Sequence, residues 1–288
     1  MTGTGTPSEA TAPATETTPT PTPTPTPGQV PAAQRPLDLR PAPGAARWST
    51  MLRAQTMLEV KLTLRRGESV LLTVIIPVGL LLFFTTVNVL PTDAGAPVDF
   101  LVPGILALAV MSTAFTGQAI ATGFERSYGV LKRLGASPLP RSILLAGKTL
   151  AVVGVEIIQV LLVIAVGFGV GWHPHGSPLA VGLLLLVATV AFSGLGLLMA
   201  GTLRAEATLA AANGVYLLLL LVGGIVFPLS RLPGWLADVG ELLPTAATSD
   251  GLRAILRDSA GLPVADLAIL LAWAVGSLAL AARTFKWE

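Results

Sequence analysis

The sequence predicts an all-α membrane protein that crosses the bilayer six times. Three observations lead there. Charged residues make up 12% of the chain and hydrophobic ones 52%, whereas a soluble domain carries about 25% charge. Six runs of the length a spanning helix needs, about 20 apolar residues, follow one another. Lys and Arg collect in alternate connections between those runs.

Residues 1–47 stand apart. Five Thr-Pro dipeptides run from Thr18 to Pro27, and large apolar side chains are nearly absent. Such a segment cannot bury enough surface to offset its ordering entropy, so it reads as a disordered, solvated tail. It has no apolar stretch of the kind a secretory signal carries. Residues 48–288 form the transmembrane domain. It opens with "WSTMLRAQTMLEVKLTLRRG", where Trp48, Met51, Leu52, Leu58 and Leu62 fall roughly on one helical face that Glu59 and Arg66 interrupt. An amphipathic helix on the cytoplasmic leaflet fits this pattern, and so does a plain juxtamembrane linker.

The spans are expected at about 69–90, 100–123, 149–171, 179–203, 207–229 and 264–282. Pro77 and Pro103 lie within them, and membrane helices tolerate such residues. Of 18 Lys and Arg, all but Arg231, Arg253 and Arg257 fall before the first span, in the second and fourth connections, or in the tail. The first and third connections hold none. The bias puts both termini in the cytoplasm, together with residues 125–148. The fifth connection is too long for a turn. "LPGWLADVGELL" and "DGLRAIL" each space their apolar residues as a short amphipathic helix, punctuated by Pro233, Pro244 and Pro263. Two short helices dipping into or lying on the outer leaflet are expected.

The net charge of +2 gives no reason to expect nucleic acid as a partner. The absence of cysteine excludes disulfides, thiolate metal sites and a Cys nucleophile. "GKT" at 147–149 has the end of a phosphate loop, but Ser142 stands where that motif needs glycine, and an apolar helix follows directly. His173 and His175 lack a third ligand nearby, so no metal site is expected. "GAS" at 135–137 has no histidine on its side of the membrane to act as a base. No covalent chemistry is expected of this chain. Three polar residues do lie within apolar runs. Glu156, with Gln159 three residues on, must face protein or a cavity. A functional carboxylate fits, and so does one that snorkels or pairs with Lys148. Asn213 suggests a helix–helix hydrogen bond.

The charged stretch "ERSYGVLKRLGASPLPRSILLAGK", 125–148, is longer than a connection needs to be. Val130, Leu131 and Leu134 form one apolar face of a short helix, with Lys132 and Arg133 on the other. Docking into a groove on a soluble partner and resting on anionic lipid are equally compatible with that pattern.

The stretch resembles the loop after the second span in ABC transporter permeases of the type 2 exporter family. Glu125, Arg126, Gly129, Leu131, Leu134, Pro138, Gly147 and Lys148 carry the resemblance. "FPLSRLPGWLADVGELLPTAATSDGLRAIL", 227–256, is similar to a second family motif in the right order. The likeness covers about residues 50–288. Ser127-Tyr128 departs from it, where the family often has a further charge. The resemblance implies a permease that pairs with a second copy or a paralogue. It further implies two separate ABC ATPase subunits, which bind the ATP and Mg, so that this chain needs no cofactor of its own. Glu125, Arg126, Gly129, Leu131, Leu134, Pro138 and Lys148 would couple the ATPase to the spans through a cytoplasmic coupling helix. The cargo would be an amphipathic drug-like or lipid-like molecule leaving the cytoplasm or inner leaflet across the plasma membrane. A proton-coupled secondary transporter using Glu156, and a membrane scaffold without transport, are the rival readings. An internal repeat would favour the first rival, and none is visible.

Overall fold

The computed structural model describes residues 46–65, 67–87, 97–136, 139–225, 228–258 and 261–284, with side chains from residue 73 onward in the second stretch. The Thr/Pro tail and the first outer connection lie outside the described residues. No strand occurs among those described. The chain runs α1 (Trp48–Arg65), α2 (Gly67–Val87) and α3 (Pro97–Val110). A π-helical segment, Met111–Gly117, leads directly into α4 (Gln118–Ser127), so that these three pieces form one long rod. There follow α5 (Val130–Gly135), α6 (Arg141–Gly169), α7 (Pro178–Thr202), α8 (Ala205–Val222), α9 (Gly234–Glu241), α10 (Pro244–Leu256) and α11 (Val264–Thr284).

Five helices among the described residues are long and apolar enough to cross a membrane: Pro97–Ser127, Arg141–Gly169, Pro178–Thr202, Ala205–Val222 and Val264–Thr284. The apolar Thr73–Val87 part of α2 is a shorter one. The chain is an all-α, multi-pass membrane protein. The α3–α4 rod is the axis of the bundle. Every residue from Leu101 to Val110 is buried, because α2, α6, α7 and α10 pack around it. Outer helices instead show large apolar side chains on their open faces, among them Leu161, Phe168, Leu217, Leu221 and Val275. Surfaces of that kind suit lipid, not water.

Two segments differ from the sequence expectation. The fifth span ends at Val222 instead of 229. The chain then turns at Gly224, whose φ of +70° is left-handed and suits only a residue without Cβ. Further on, α9 is largely exposed as expected, but α10 does not lie on a leaflet. Eleven of its 13 residues, from Pro244 to Leu256, are buried, against α3, α7 and α11. Its small residues, Ala246, Ala247, Thr248, Ser249 and Gly251, allow that close packing.

Candidate functional site

At the end of the bundle that carries α5, three charged residues from three helices meet. The Lys148 ammonium on α6 lies 3.0 Å from Glu59 on α1 and 2.5 Å from Glu125 on α4. All three are buried. Local sequence explains the meeting. Gly147 lets α1 settle on α6: a Cβ there would stand 2.7 Å from the Gln55 side chain. One helical turn beyond Gln55 is Glu59, which accepts a 2.7 Å hydrogen bond from the Gln55 amide. The close approach therefore delivers Glu59 to Lys148, the residue after the glycine. Low dielectric makes such a cluster stable only when each charge is paired.

This disposes of "GKT" as a phosphate site. Its lysine is held by two carboxylates, and the Thr149 hydroxyl donates to the Leu145 carbonyl of its own helix. It also corrects the reading of α1. Glu59, which interrupts the apolar face in sequence, lies with Gln55 on the side facing the protein. Trp48, Met57, Leu58 and Leu64 face outward. The outward side also carries Arg53, Lys61 and Arg65, so apolar and charged residues share it while Gln55 and Glu59 turn inward.

Arg126, the residue after Glu125, donates from a guanidinium nitrogen to the Leu203 carbonyl. That carbonyl follows the last residue of α7, where a cation also meets the negative helix end. Gly129 takes φ +70° and starts α5. Leu131 is fully buried with Leu144, Leu145, Leu197 and Ala281, and Leu134 packs partly against them. Expected as an outward knob, Leu131 is instead the peg that fastens α5 to α6, α7 and α11. An isolated amphipathic pattern cannot say which neighbour its apolar face meets. The exposed side of α5 carries Lys132 and Arg133. Pro138 lies outside the described residues.

Farther along α6, the apolar interior contains a polar seam. Gln159 donates to the Thr73 carbonyl of α2 at 2.7 Å and accepts from the Thr113 hydroxyl of the π segment at 2.9 Å. Glu156 accepts from the Thr189 hydroxyl of α7, and its second oxygen has no partner among the described residues. Ser193 of α7 donates to the Gln118 carbonyl oxygen of α4 at 3.0 Å. Glu156 neither snorkels nor meets Lys148, which has other partners. Asn213 bonds back to Leu209 on its own helix and bridges no helices among the described residues.

A cavity of about 540 Å³ opens between these two features. Glu59, Leu62 and Thr63 of α1 line it at i, i+3 and i+4, and Lys148, Ala151, Val152 and Val155 of α6 line it at the same kind of spacing. The π segment and α4 supply the opposite wall. A π turn is often found at functional positions, since its wider winding re-aims side chains.

At the opposite end, Arg253 of α10 is buried with its guanidinium 3.9 Å above the Phe100 ring. It donates to Asp250 at 2.7 Å and to the Gly224 carbonyl at 2.9 Å. Burial pushes the Asp250 carboxyl up from its ordinary value, against the opposing pull of Arg253. Sequence reading counted Arg253 only as a loop charge. Its position in the buried "DGLRAIL" helix was the available signal.

An all-helical bundle with lipid-facing flanks, a charged cluster at one end and a polar seam within defines a multi-pass membrane protein built around a connected interior. The family is settled by comparison. The model of the ABC-2 type transporter family matches residues 50–256, and the chain belongs to that family. It is a transmembrane transport subunit of an ABC transporter. It is 29% identical over 202 residues to ABC transporter G family member 20 of Dictyostelium discoideum, covering 65% of this chain and 27% of that protein. It is 25% identical over 211 residues to YvfS of Bacillus subtilis (strain 168), whose name describes a transport permease. That alignment covers 72% of this chain and 86% of the relative.

Proposed function

We propose that this chain is the permease half of an ATP-driven exporter in the plasma membrane. It has six spans, counting α2, and cytoplasmic termini. Two permeases, identical or paralogous, assemble with two separate ATPase subunits, which hold the ATP and Mg. The cargo is an amphipathic drug-like or lipid-like molecule, taken from the cytoplasm or inner leaflet. The segment from Glu125 to Lys148 receives the ATPase.

One observation carries this reading. The α5 segment is not a loose loop. Its Leu131 is sunk among α6, α7 and α11, and both its flanks end in one ion cluster, Glu125 before it and Lys148 after it, joined to Glu59 of α1. A push on the exposed face of α5 is therefore delivered to α1, α4, α6, α7 and α11 together. A coupling element needs that connection, whereas a helix resting on lipid does not. The contact face offered to the ATPase is the basic one, with Lys132 and Arg133, and not Leu131. Replacing both by Glu (K132E/R133E) should leave the permease inserted and monodisperse while it loses the co-purifying ATPase. Retention of the ATPase with undiminished export would refute this docking face.

The rival secondary transporter has one observation in its favour, the half-satisfied Glu156 carboxylate inside the bundle. It predicts uptake or efflux driven by a proton gradient in vesicles that contain the permease and no ATPase.

A further inference from the structure

We infer that the open face of α8 is where two copies of this chain meet, with Asn213 of one bonded to Asn213 of the other. The inference deepens the reading above and rests on it in one point, that two permeases assemble. Position defines the face. Glu206, Ala210, Asn213, Leu217 and Leu221 recur at spacings of four, three, four and four, and all are exposed. Such spacing is one side of a helix. Thr208, Ala212 and Leu219 are buried on the other side, where α8 packs on α4 and the π segment.

The amide is what lipid cannot satisfy. Asn213 lies midway along this 18-residue span, about 12 Å from either end at 1.5 Å per residue. Its Nδ2 group donates one N–H to the Leu209 carbonyl at 2.8 Å. The second N–H and the carboxamide oxygen have no partner among the described residues. In hydrocarbon each polar group left so is costly. Hydroxyls on other open faces escape that cost. Thr86 and Thr202 donate their single proton to a carbonyl one turn back. A carboxamide, with two donors and an acceptor, cannot be satisfied by its own helix alone.

A second copy supplies what is missing. Both copies share one topology, so across a two-fold axis along the membrane normal the α8 helices run parallel and equal residues meet at equal depth. A carboxamide is its own complement: each gives its free N–H and receives on its oxygen. Ala210 and the neighbouring Gly214 let the backbones approach, and a Cβ at Gly214 would find nothing within 4 Å. Leu217 and Leu221, 55% and 58% exposed, cover their counterparts. At the start of α8, Arg204 and Glu206 are exposed without an ion partner among the described residues. Their charges pair crosswise, Glu206 of each copy with Arg204 of the other. On α11, Ala268, Ala272 and Gly276 are equally open, but they carry no polar group that needs a protein partner.

The chain has no cysteine, so single cysteines report contacts without background. Ala210→Cys and Leu217→Cys, each in the full-length chain in membranes that also hold the ATPase, should form disulfide-linked dimers under mild oxidation, which requires Cα atoms within about 7 Å. Val215→Cys, exposed on the opposite flank of α8, and Ala272→Cys on α11 should not. Association of donor- and acceptor-labelled full-length permease in proteoliposomes measures the amide. Asn213→Leu should weaken it about ten-fold, and Asn213→Gln should restore part of the loss. Glu206→Arg should weaken association, and adding Arg204→Glu should recover it. No disulfide at Ala210 or Leu217, equal disulfide formation at Val215 or Ala272, or Asn213→Leu association equal to wild type would overturn the contact. A pore wall or a lipid-facing helix gives the first of these results. An ATPase that co-purifies with permease lacking the α8 disulfide leaves the reading above standing and removes only this contact. A disulfide without any bound ATPase supports the contact and counts only against that reading.

Discussion

Two buried carboxylates on neighbouring helices are handled in opposite ways. Glu125 of α4 lies 2.5 Å from an ammonium that also holds Glu59. Glu156 of α6 has a single hydroxyl, from Thr189, and an oxygen without a partner among the described residues. The first arrangement is a structural clamp: opposite charges fasten three helices at the end of the bundle that carries α5. The second fastens little. A carboxylate kept in apolar surroundings with so little compensation adds no stability that a neutral side chain could not supply. Burial alone therefore does not mark a functional acid. What its neighbours provide does.

That contrast can be broken from the clamp side first. Lys148→Ala would leave Glu59 and Glu125 buried side by side without a cation. Breaking a buried ion pair by removing one partner costs about 3–5 kcal/mol. The expected outcome is a large drop in the unfolding temperature of the purified permease, partly restored by adding Glu125→Gln. No drop would mean that the cluster is hydrated and adds little.

A smaller effect is expected at the peg of α5. Leu131→Ala opens a cavity among Leu144, Leu145, Leu197 and Ala281 and should cost about 2–4 kcal/mol. Leu134→Ala, at a half-buried position, should cost less. Limited proteolysis near residues 129–141 would read both. Equal sensitivity of the two variants would show that Leu131 is not the fastening point.

The smallest stability effect belongs to Glu156→Gln. It preserves shape and can still accept from Thr189, so stability should change by less than about 1 kcal/mol. Transport measured in proteoliposomes then sharpens the comparison. Loss of transport at unchanged stability makes Glu156 a working residue, and unchanged transport makes it a tolerated one.

Much of this was legible along the chain. The apolar runs and the punctuation by proline place α3–α4, α7 and α11 within a few residues, whereas α6 starts earlier, at Arg141, and α8 stops at Val222, short of the expected 229. "DGLRAIL" is visible as a helix, but its burial is not, because an amphipathic pattern of three apolar residues fits a leaflet surface as well as a bundle interior. The candidate site was legible in fragments. Glu125, Lys148, Glu156 and Gln159 stand out as polar residues in or beside apolar runs. Glu59 was visible only as a flaw in the α1 pattern. Gln118, Thr122 and Thr113 carry no signal of their own, since hydroxyl and amide side chains are common in membrane helices and bond locally to their own backbone.

By itself, then, the sequence determined the solvent of this protein and the order of its helices: 12% charge cannot clothe a water-facing surface, and apolar length sets what spans. Its motifs resemble those of the family to which the comparison assigns it. Only the tertiary structure decided which polar residues become partners. Glu59, Glu125 and Lys148 are distant along the chain, and the pairing arises because Gly147 admits α1 against α6. The same packing turned Leu131 inward and left Lys132 and Arg133 outside. The physical reason is that hydropathy is a property of each residue in turn, whereas the pairing of buried charges depends on which helix surfaces can come close enough to touch.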